Sequence, residues 1–321
     1  MGVTYVDITQ ADDVGQRVDN FLMRTLKGVP RQRIYRILRR GEVRVNGGRI
    51  KASYKLELHD RLRIPPVRTA EQLPVQFSQK SADSLKAAVI FEDERYVVLN
   101  KPAGIAVHGG SGISAGVVEI LRVEFANPRL ELVHRLDRDT SGCLALAKNR
   151  QALQEAQAQF RERTVKKIYE AFVVGVWPKK VRTVQLKLKR YETSWGERRV
   201  RVDSHGQQAR TDFAIMDQAG SLATRLQATL HTGRTHQIRV HSSANGHAII
   251  GDDKYMDRSE AAQHGSNGAQ SGSNSLPNES RLCLHASKLM IPLADGALRV
   301  SAPPGQDLEA IWQQLMVAAA G

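Results

Sequence analysis

The segment "HRLDRDTSG" (134–142) places two carboxylates, Asp137 and Asp139, just ahead of the apolar run "CLALA" that ends at Ala147. An unbroken apolar run of this kind is typical of a strand buried on both faces, so the carboxylates are expected at the edge of a core. Ionised groups are costly so close to apolar surroundings. Both aspartates are therefore candidates for a chemical role.

The two aspartates differ in what surrounds them. Asp, Thr, Ser and Gly in "DRDTSG" favour hydrogen bonds between side chains and the local backbone, and Asp139 fits such a turn-capping role. Asp137 lies between Leu136 and Arg138, directly after the strand-like "ELVHRL". This placement makes Asp137 the better candidate for chemistry.

A second segment, "HTGRTHQIRVH" (231–241), has three histidines at intervals of five residues. We expect a strand here, in which Ile238 and Val240 share one face and Arg239 lies on the other. Histidines five apart on a strand would alternate between its faces, and their spacing matches neither the helical His-Glu-x-x-His motif nor a zinc motif with cysteines. The sequence therefore predicts no metal site.

Two arginines and a tyrosine complete the set of candidate site residues. Arg234 and Arg239 lie in that second segment and are suited to pair with a phosphate or a carboxylate. Tyr169 follows two lysines in the strand-like "KKIYEAF". A tyrosine in such a strand ordinarily packs in a core or an interface, so the residue type alone gives it no chemical role.

The elements around these segments predict an α+β domain. From Ala87 onward the sequence is rich in strand patterns. One clear helix interrupts them, "RQALQEAQAQFRER", with apolar positions at Leu153, Ala156 and Phe160. This arrangement favours a mixed, mostly antiparallel sheet.

Two segments lack any such pattern. The first is predicted as the boundary between two domains, and the second as a loop within the larger domain. Residues 67–86 are polar without a clear period and are predicted as a linker. Residues 257–280 are rich in Gly, Ser and Asn and are predicted as a flexible surface loop. We therefore expect a small domain over 1–66 and a larger one over 87–321.

The N-terminal region carries most of the positive charge. The 321 residues have a net charge of +14. Between Gly15 and Arg68 there are fifteen Lys or Arg against four Asp or Glu, which contributes +11 of that total. A surplus of this size favours a polyanionic partner, either nucleic acid or an acidic membrane surface.

The patterns of this region predict a compact RNA-docking module. Two helical segments, "RVDNFLMRTL" and "RQRIYRILRRG", precede a hairpin that turns at Asn46-Gly47 and a closing strand, "DRLRIP". Few acidic residues balance the basic ones, which argues against an ordinary solvated helix face. The candidate RNA-binding residues of the module are Arg31, Arg33, Arg36, Arg39, Arg40 and Arg44.

Other features favour a cytoplasmic protein with nucleic acid, and no membrane, as its partner. No apolar run approaches the length of a membrane span, and the first residues follow neither the signal-peptide nor the myristoylation pattern. The two cysteines, Cys143 and Cys283, lie in apolar segments and are expected to be buried and reduced.

Taken together, these segments resemble the RluA family of pseudouridine synthases. "HRLDRDTSG" looks like the family signature. In family order, "LNKPAGIAVHGG" precedes it, and "KKIYEAFVVG", "TGRTHQIRVH", "GDDKY" and "LCLHASKL" follow. Residues 15–65 resemble an S4 RNA-binding domain through "RVDNFL", "RILRRGEVRVNG" and "LELHDRLRI". An S4 domain ahead of the catalytic domain is the arrangement of the ribosomal large-subunit enzymes, and the C type looks most similar.

The resemblance implies a reaction and a role for each residue. Uridine is flipped out, its N-glycosidic bond is broken, and the base is turned and rejoined through carbon, with no metal and no other cofactor. Asp137 would be the nucleophile, and Arg239 would pair with it to keep it ionised and oriented. Tyr169 would stack on the base and assist proton removal. Arg135 would fill the gap that the uridine leaves.

The resemblance also implies the partner, which is 23S ribosomal RNA or a pre-ribosomal large-subunit particle. Nothing in the sequence demands more than a monomer. Two other functions stay open. A glycosidase could use Asp137 and Asp139 as its carboxylate pair. Alternatively, the protein could be a non-catalytic RNA-binding or ribosome-assembly protein that uses only its S4-like module.

Overall fold

The computed structural model describes residues 2–26, 28–67, 76–110, 115–256 and 281–320. The segment 257–280, for which a flexible loop is predicted, lies outside the described residues. The chain divides into two compact units, the first comprising Met1–Gln76 and Asn149–Gln151 and the second comprising Phe77–Lys148 and Ala152–Gly321.

The first unit combines two helices with a small sheet. Its elements are β1 (Thr4–Asp7), α1 (Val18–Thr25), α2 (Arg31–Arg39), β2 (Arg44–Val45), β3 (Gly48–Arg49) and β4 (Arg61–Ile64). The strands pair antiparallel in the order β1-β4-β2-β3. Asn46 and Gly47 join β2 to β3 with φ values of 50° and 78°, as a two-residue hairpin turn requires. The predicted helices, hairpin and closing strand are confirmed, and β1 is an additional strand.

The amphipathic pattern of α2 separates the core of this unit from its charged surface. Ile34, Ile37 and Leu38 are buried in one cluster with α1 and the sheet. The other face carries the arginines. Arg31, Arg36, Arg39, Arg40 and Arg44 are exposed, and Arg33 is half-buried. All of the candidate RNA-binding arginines of this unit except Arg33 are therefore exposed.

The second unit is built on an eleven-stranded sheet. Its strands are β5 (Val89–Glu92), β6 (Tyr96–Lys101), β7 (Glu131–Leu132), β8 (Ser141–Ala147), β9 (Lys166–Val174), β10 (Thr183–Glu192), β11 (Arg198–Val202), β12 (Gln207–Ala219), β13 (Ala223–Leu230), β14 (Leu284–Leu293) and β15 (Gly296–Ser301). Among the described residues, its helices are α3 (Gln79–Ala87), α4 (Val117–Glu124), α5 (Arg150–Glu162), α6 (Gln237–Ser243) and α7 (Gln306–Ala320).

The sheet is mixed and mostly antiparallel, as predicted. Its main path is β11-β10-β12-β13-β9-β14-β8-β6-β5, with β15 beside β14 and β7 beside β8. The pair β14–β8 is parallel, and the other named pairs of this sheet are antiparallel. No described helix is long and apolar enough to cross a membrane.

Strand β8 runs through the centre of the core. Leu144 and Leu146 pack into the cluster on one face of the sheet, whereas Cys143, Ala145 and Ala147 pack into the cluster on the other. The prediction of a strand buried on both faces is confirmed. Cys143 and Cys283 are free thiols and both are buried, also as predicted.

Two sequence predictions for this unit are wrong. Of the segment 67–86, predicted as a linker, residues 68–75 lie outside the described residues, and residues 79–86 belong to α3, which begins where the Ser81 N–H donates to Ser78 Oγ at 3.2 Å. Ala82 and Leu85 of α3 are fully buried in the main core, a pair too short to show a period within a polar segment. The strand expected in 231–241 is also absent, because β13 ends at Leu230 and α6 follows.

Candidate active site

Asp137 lies in a loop that β8 anchors through two hydrogen bonds. The Val133 N–H donates to the Ala145 carbonyl oxygen at 3.0 Å, and the Ala145 N–H donates to His134 Nε2 at 3.1 Å. Burial lowers the pKa of His134 to about 4, so at neutral pH its ring is the neutral acceptor that this bond needs. Leu136 is buried beside the loop. The backbone that leads into Asp137 is thereby tied to the buried strand.

Gly142 allows β14 to approach the other end of this loop. Its φ is 108°, and a Cβ there would lie 2.3 Å from the Ala286 carbonyl oxygen. Ala286 is the residue of β14 that pairs with Gly142 in the parallel ladder. Because any other side chain would collide with that backbone, glycine is required two residues after Thr140.

Lys101 holds the turn that follows Asp137. Its side chain is fully buried, and its Nζ donates to the carbonyl oxygens of Pro102, Ile105 and Arg138 at 2.7, 2.9 and 3.0 Å. The three carbonyl oxygens match the three hydrogens of a protonated Lys101. Burial has the opposite effect, because it disfavours the charged form and lowers the pKa of Lys101 to about 7. Lys101 is not among the candidate residues that the sequence indicates. The sequence feature that could have indicated Lys101 is its position directly after the apolar run "YVVLN".

The carboxylate of Asp137 opens into a cavity of about 500 Å³ and is 33% exposed. The turn is closed by the Thr140 N–H, which donates to the backbone oxygen of Asp137 at 3.2 Å. Among the described residues, neither the Asp137 nor the Asp139 side chain accepts a hydrogen bond from this turn. The expectation that Asp139 caps the turn is therefore wrong, and Asp137 is free for chemistry.

Asp139 faces a different space from Asp137. It lines a second cavity of about 1030 Å³, together with Lys101, Arg281 and Asp307. A glycosidase needs two carboxylates that face the same sugar. The arrangement of Asp137 and Asp139 does not provide such a pair.

Tyr169 forms part of the floor of the Asp137 cavity. It lies in the middle of β9, packs in the main core and is 9% exposed. Burial raises the pKa of its phenol, and the negative charge of Asp137 raises it further. The phenol therefore keeps its proton at neutral pH and presents a neutral aromatic surface to the cavity.

Arg239 lines the same cavity, but its partner is not the predicted one. Its Nε and Nη2 donate to the two oxygens of Asp252 at 2.7 and 2.6 Å, and Nη2 also lies 3.3 Å from Asp253 Oδ1. The prediction that Arg239 pairs directly with Asp137 is therefore wrong, because Arg239 lies on α6 with its guanidinium directed toward Asp252 and Asp253. Burial alone would lower the pKa of Arg239, but the hydrogen bonds and charge of Asp252, together with the charges of Asp137 and Tyr255, outweigh that effect and raise the pKa.

His236 is the basic residue that lies nearest to the Asp137 carboxylate. The distance from His236 Nε2 to Asp137 Oδ2 is 3.9 Å. On the other side of the ring, Nδ1 lies 2.7 Å from the hydroxyl oxygen of Tyr255. From the sequence, His236 was weighed only as a metal ligand. The sequence feature that could have indicated a role for His236 at this site is its position three residues before Arg239, in a segment already assigned to the site.

Arginines form the rim of the cavity. Arg135 is exposed and has no acidic partner among the described residues, whereas Arg234 donates from Nε to the Gln208 carbonyl oxygen at 3.2 Å. The hairpin of β10 and β11 contributes Arg190, Arg198 and Arg199. A rim of this kind is suited to the phosphates on either side of a nucleotide in the cavity.

The three histidines of 231–241 do not come together. His231 Nε2 lies 2.5 Å from Asp212 Oδ2, His236 faces Asp137, and His241 is fully buried. Among the described residues, no group of three or more His, Cys, Asp or Glu side chains could hold a metal ion.

The first unit has a basic groove of its own. Arg33, Arg36, Arg39 and Tyr35 of α2 line a space of about 740 Å³. Cationic side chains beside an aromatic ring are a common arrangement on surfaces that bind RNA.

Comparison with known proteins assigns both units. The family described as RNA pseudouridylate synthase matches residues 95–244, and the S4 domain matches residues 16–62. The ribosomal large subunit pseudouridine synthase C of Pasteurella multocida is 47% identical over 305 residues, which cover 94% of this chain and 90% of the relative. The protein of the same name from Escherichia coli K12 is 47% identical over 98% of this chain and 97% of its own.

A solved structure shows the same fold. Human RNA pseudouridylate synthase domain containing 4 aligns with a TM-score of 0.59 at 24% identity, covering 74% of this chain and 95% of its own. Both matched relatives share nearly their whole length with this chain, and the family match includes the Asp137 loop, Tyr169 and Arg239. The chain belongs to the RNA pseudouridylate synthase family.

Proposed function

We propose that this protein isomerises specific uridines of large-subunit ribosomal RNA to pseudouridine, with Asp137 as the nucleophile. The observation that carries the proposal is the Asp137 carboxylate itself. It is held in a fixed loop, opens into a cavity rimmed by arginines and makes no hydrogen bond to its own turn among the described residues. The names of the matched relatives support large-subunit ribosomal RNA as the substrate.

The reaction needs few groups. The bond between C1′ of the ribose and N1 of uracil breaks, the base turns, and C1′ bonds to C5. The hydrogen on C5 is lost and N1 gains one, so the net change is an isomerisation without an external oxidant or reductant. A carboxylate nucleophile at Asp137 divides this rearrangement into two easier steps. A cavity of about 500 Å³ has room for a flipped nucleoside.

Tyr169 is suited to hold the base once it has left the RNA stack. Its ring lies in the cavity wall with little exposure. Stacking of a base on an aromatic ring contributes about 1–3 kcal/mol. The raised pKa of Tyr169 works against its second implied role, because a phenolate that could remove the C5 proton is costly in this apolar setting.

Three arginines have separate roles in the proposal. Arg135 is exposed at the cavity rim and is the side chain we assign to the space that the flipped uridine vacates. Arg239 is held by Asp252 and acts on Asp137 through its charge, without a direct bond. Arg234 is assigned to the RNA backbone beside the target.

The first unit is assigned to RNA docking through its exposed arginines. Its match to the S4 domain and the basic groove on α2 support this assignment. We propose 23S ribosomal RNA or a large-subunit precursor particle as the partner and a cytoplasmic monomer as the working form.

The test is pseudouridine mapping in ribosomal RNA with the wild-type protein and two matched variants. Asp137→Asn nearly preserves volume and should form no pseudouridine, while RNA binding and melting temperature persist. Asp139→Asn is the control, because Asp139 faces the other cavity, and it should retain turnover. If wild-type protein binds ribosomal RNA but modifies none of it, the protein is a binder only. Equal activity in both variants would remove Asp137 from the mechanism.

A further inference from the structure

His236 has an unusual backbone conformation at the wall of the Asp137 cavity. Its φ and ψ are 52° and 25°, in the left-handed region that residues with a Cβ seldom adopt. This conformation places the ring between two partners. Nε2 faces Asp137 Oδ2 at 3.9 Å, and Nδ1 faces the hydroxyl of Tyr255 at 2.7 Å.

The hydrogen bonds around Tyr255 determine which ring nitrogen of His236 carries the proton. The Val200 N–H donates to the Tyr255 hydroxyl oxygen at 2.9 Å, which uses that oxygen as an acceptor. The hydrogen bonds of the described residues offer the phenol proton one acceptor, His236 Nδ1. Burial raises the pKa of Tyr255 to about 12, so the phenol keeps this proton. This arrangement favours the tautomer of a neutral His236 that carries its proton on Nε2, toward Asp137.

Burial is the main reason that the pKa of His236 lies below its ordinary value. Burial lowers its pKa, the charge of Asp137 opposes that effect, and the positive charges of Arg239 and Lys254 lower the pKa further, while Asp252 raises it. Nε and Nη2 of Arg239 donate to Asp252, and among the described residues no hydrogen bond or ion pair joins Arg239 to Asp137. Among the described residues, the basic side chain within 4 Å of the Asp137 carboxylate is therefore an imidazole whose pKa is lowered.

We propose that His236, with its tautomer fixed by Tyr255, is a positioning residue that donates from Nε2 to Oδ2 of Asp137 and leaves the other carboxylate oxygen to attack the substrate. The inference rests on the proposed function, since it concerns the nucleophile assigned there. The separation of 3.9 Å is longer than a hydrogen bond, and we expect it to shorten when RNA closes the cavity. A neutral donor orients the carboxylate without forming a full ion pair.

Three variants test this inference in single-turnover assays on ribosomal RNA. His236→Phe keeps the ring shape and removes both nitrogens, so the rate should fall about ten- to a hundredfold, the worth of a hydrogen bond to a charged group. RNA affinity should not change. His236→Gln places an amide N–H near the position of Nε2 and should recover most of that loss. Tyr255→Phe should slow the reaction less than His236→Phe, because the imidazole remains but its tautomer is no longer fixed.

The pH profile separates a positioning role from a structural one. Donation from Tyr255 to Nδ1 disfavours the imidazolium form, so its removal raises the pKa of His236. The acid limb of the Tyr255→Phe rate profile should therefore move to higher pH, and the limb due to His236 should be absent in His236→Gln. A variant that only loosened the fold would lower the rate at all pH values without moving the limb.

Two controls make the outcomes decisive. His231→Gln alters another His–Asp pair of the same segment, outside the cavity, and should leave the rate unchanged. The ¹⁵N spectrum of the wild-type imidazole should show His236 protonated on Nε2, whether or not the variants fold. Protonation on Nδ1, or a wild-type rate in folded His236→Phe, overturns the inference. If wild-type protein forms no pseudouridine, the proposed function fails instead, while the ¹⁵N result still decides the tautomer.

Discussion

The two units use arginine in opposite ways. Arg36 and Arg39 on α2 are exposed, and the described residues give them no ion pair. Arg239 in the second unit is 2% exposed and is held by two hydrogen bonds to the fully buried Asp252. These two exposed arginines have no fixed acidic partner among the described residues, whereas the buried one is held in a single geometry. Arg36 and Arg39, which are proposed to contact RNA, are thus unpaired among the described residues, whereas Arg239, which lines the Asp137 cavity, is paired and buried.

Removing Arg239 should have the largest effect. Arg239→Leu leaves Asp252 as a buried charge without its partner, which costs about 3–5 kcal/mol of unfolding free energy. Urea unfolding followed by tryptophan fluorescence measures this cost, because Trp177, Trp195 and Trp312 all lie in the second unit.

The matched control is an ion pair of the first unit. Arg61 Nε lies 3.7 Å from Asp7 Oδ1, and both side chains are well exposed, at 63% and 61%. Arg61→Leu should change the stability of the first unit by about 1 kcal/mol or less, measured by hydrogen exchange. Equal losses in the two variants would contradict the distinction between buried and exposed pairs.

Acid should destabilise the second unit, and this is the next largest effect. Burial lowers the pKa of His134 and of His241 to about 4 from the ordinary value of 6.5. Between those two values the unfolded chain binds more protons than the folded one, so stability is lost as the pH falls from 6.5 toward 4. Each histidine contributes on the order of 3 kcal/mol over that window.

Unfolding by urea at a series of pH values, followed by tryptophan fluorescence, tests this prediction. His241→Leu should flatten the acid slope, because the described residues give neither ring nitrogen of His241 a partner. His205→Gln is the control, since its side chain is 85% exposed, and it should leave the slope unchanged. A slope that is the same in all three proteins would show that buried histidines do not cause the acid loss.

Neutralising the arginines of α2 should have the smallest effect on stability and a specific effect on binding. Changing Arg31, Arg36, Arg39 and Arg40 together to Gln should alter unfolding free energy by less than about 0.5 kcal/mol per residue, since each is exposed. The slope of log affinity for RNA against log salt should flatten by about 0.7–0.9 for each phosphate that the protein no longer neutralises. An unchanged slope would show that RNA docks elsewhere.

The sequence could predict what depends on local pattern. The α2 arginines were predictable because apolar residues at helical spacing assign the buried face, and the Asp137 loop was predictable because the apolar run of β8 marks its end. The partner of Arg239 was not predictable, because it depends on α6 turning the side chain toward Asp252, thirteen residues later. Lys101 was missed for the same reason, since its contact with Arg138 spans 37 residues.

The parallel pairing of β8 with β14 also sets the order in which the two units can fold. His285 and Ala286 pair with Ser141 and Gly142, across an interval of 144 residues. Contacts at such separation form late, because the loop they close must be ordered first. During synthesis the first unit can fold as soon as it leaves the ribosome, since its strands span Thr4–Ile64. The Asp137 loop must wait until β14 has been made, so a nascent chain gains the arginine surface of α2 before the Asp137 cavity.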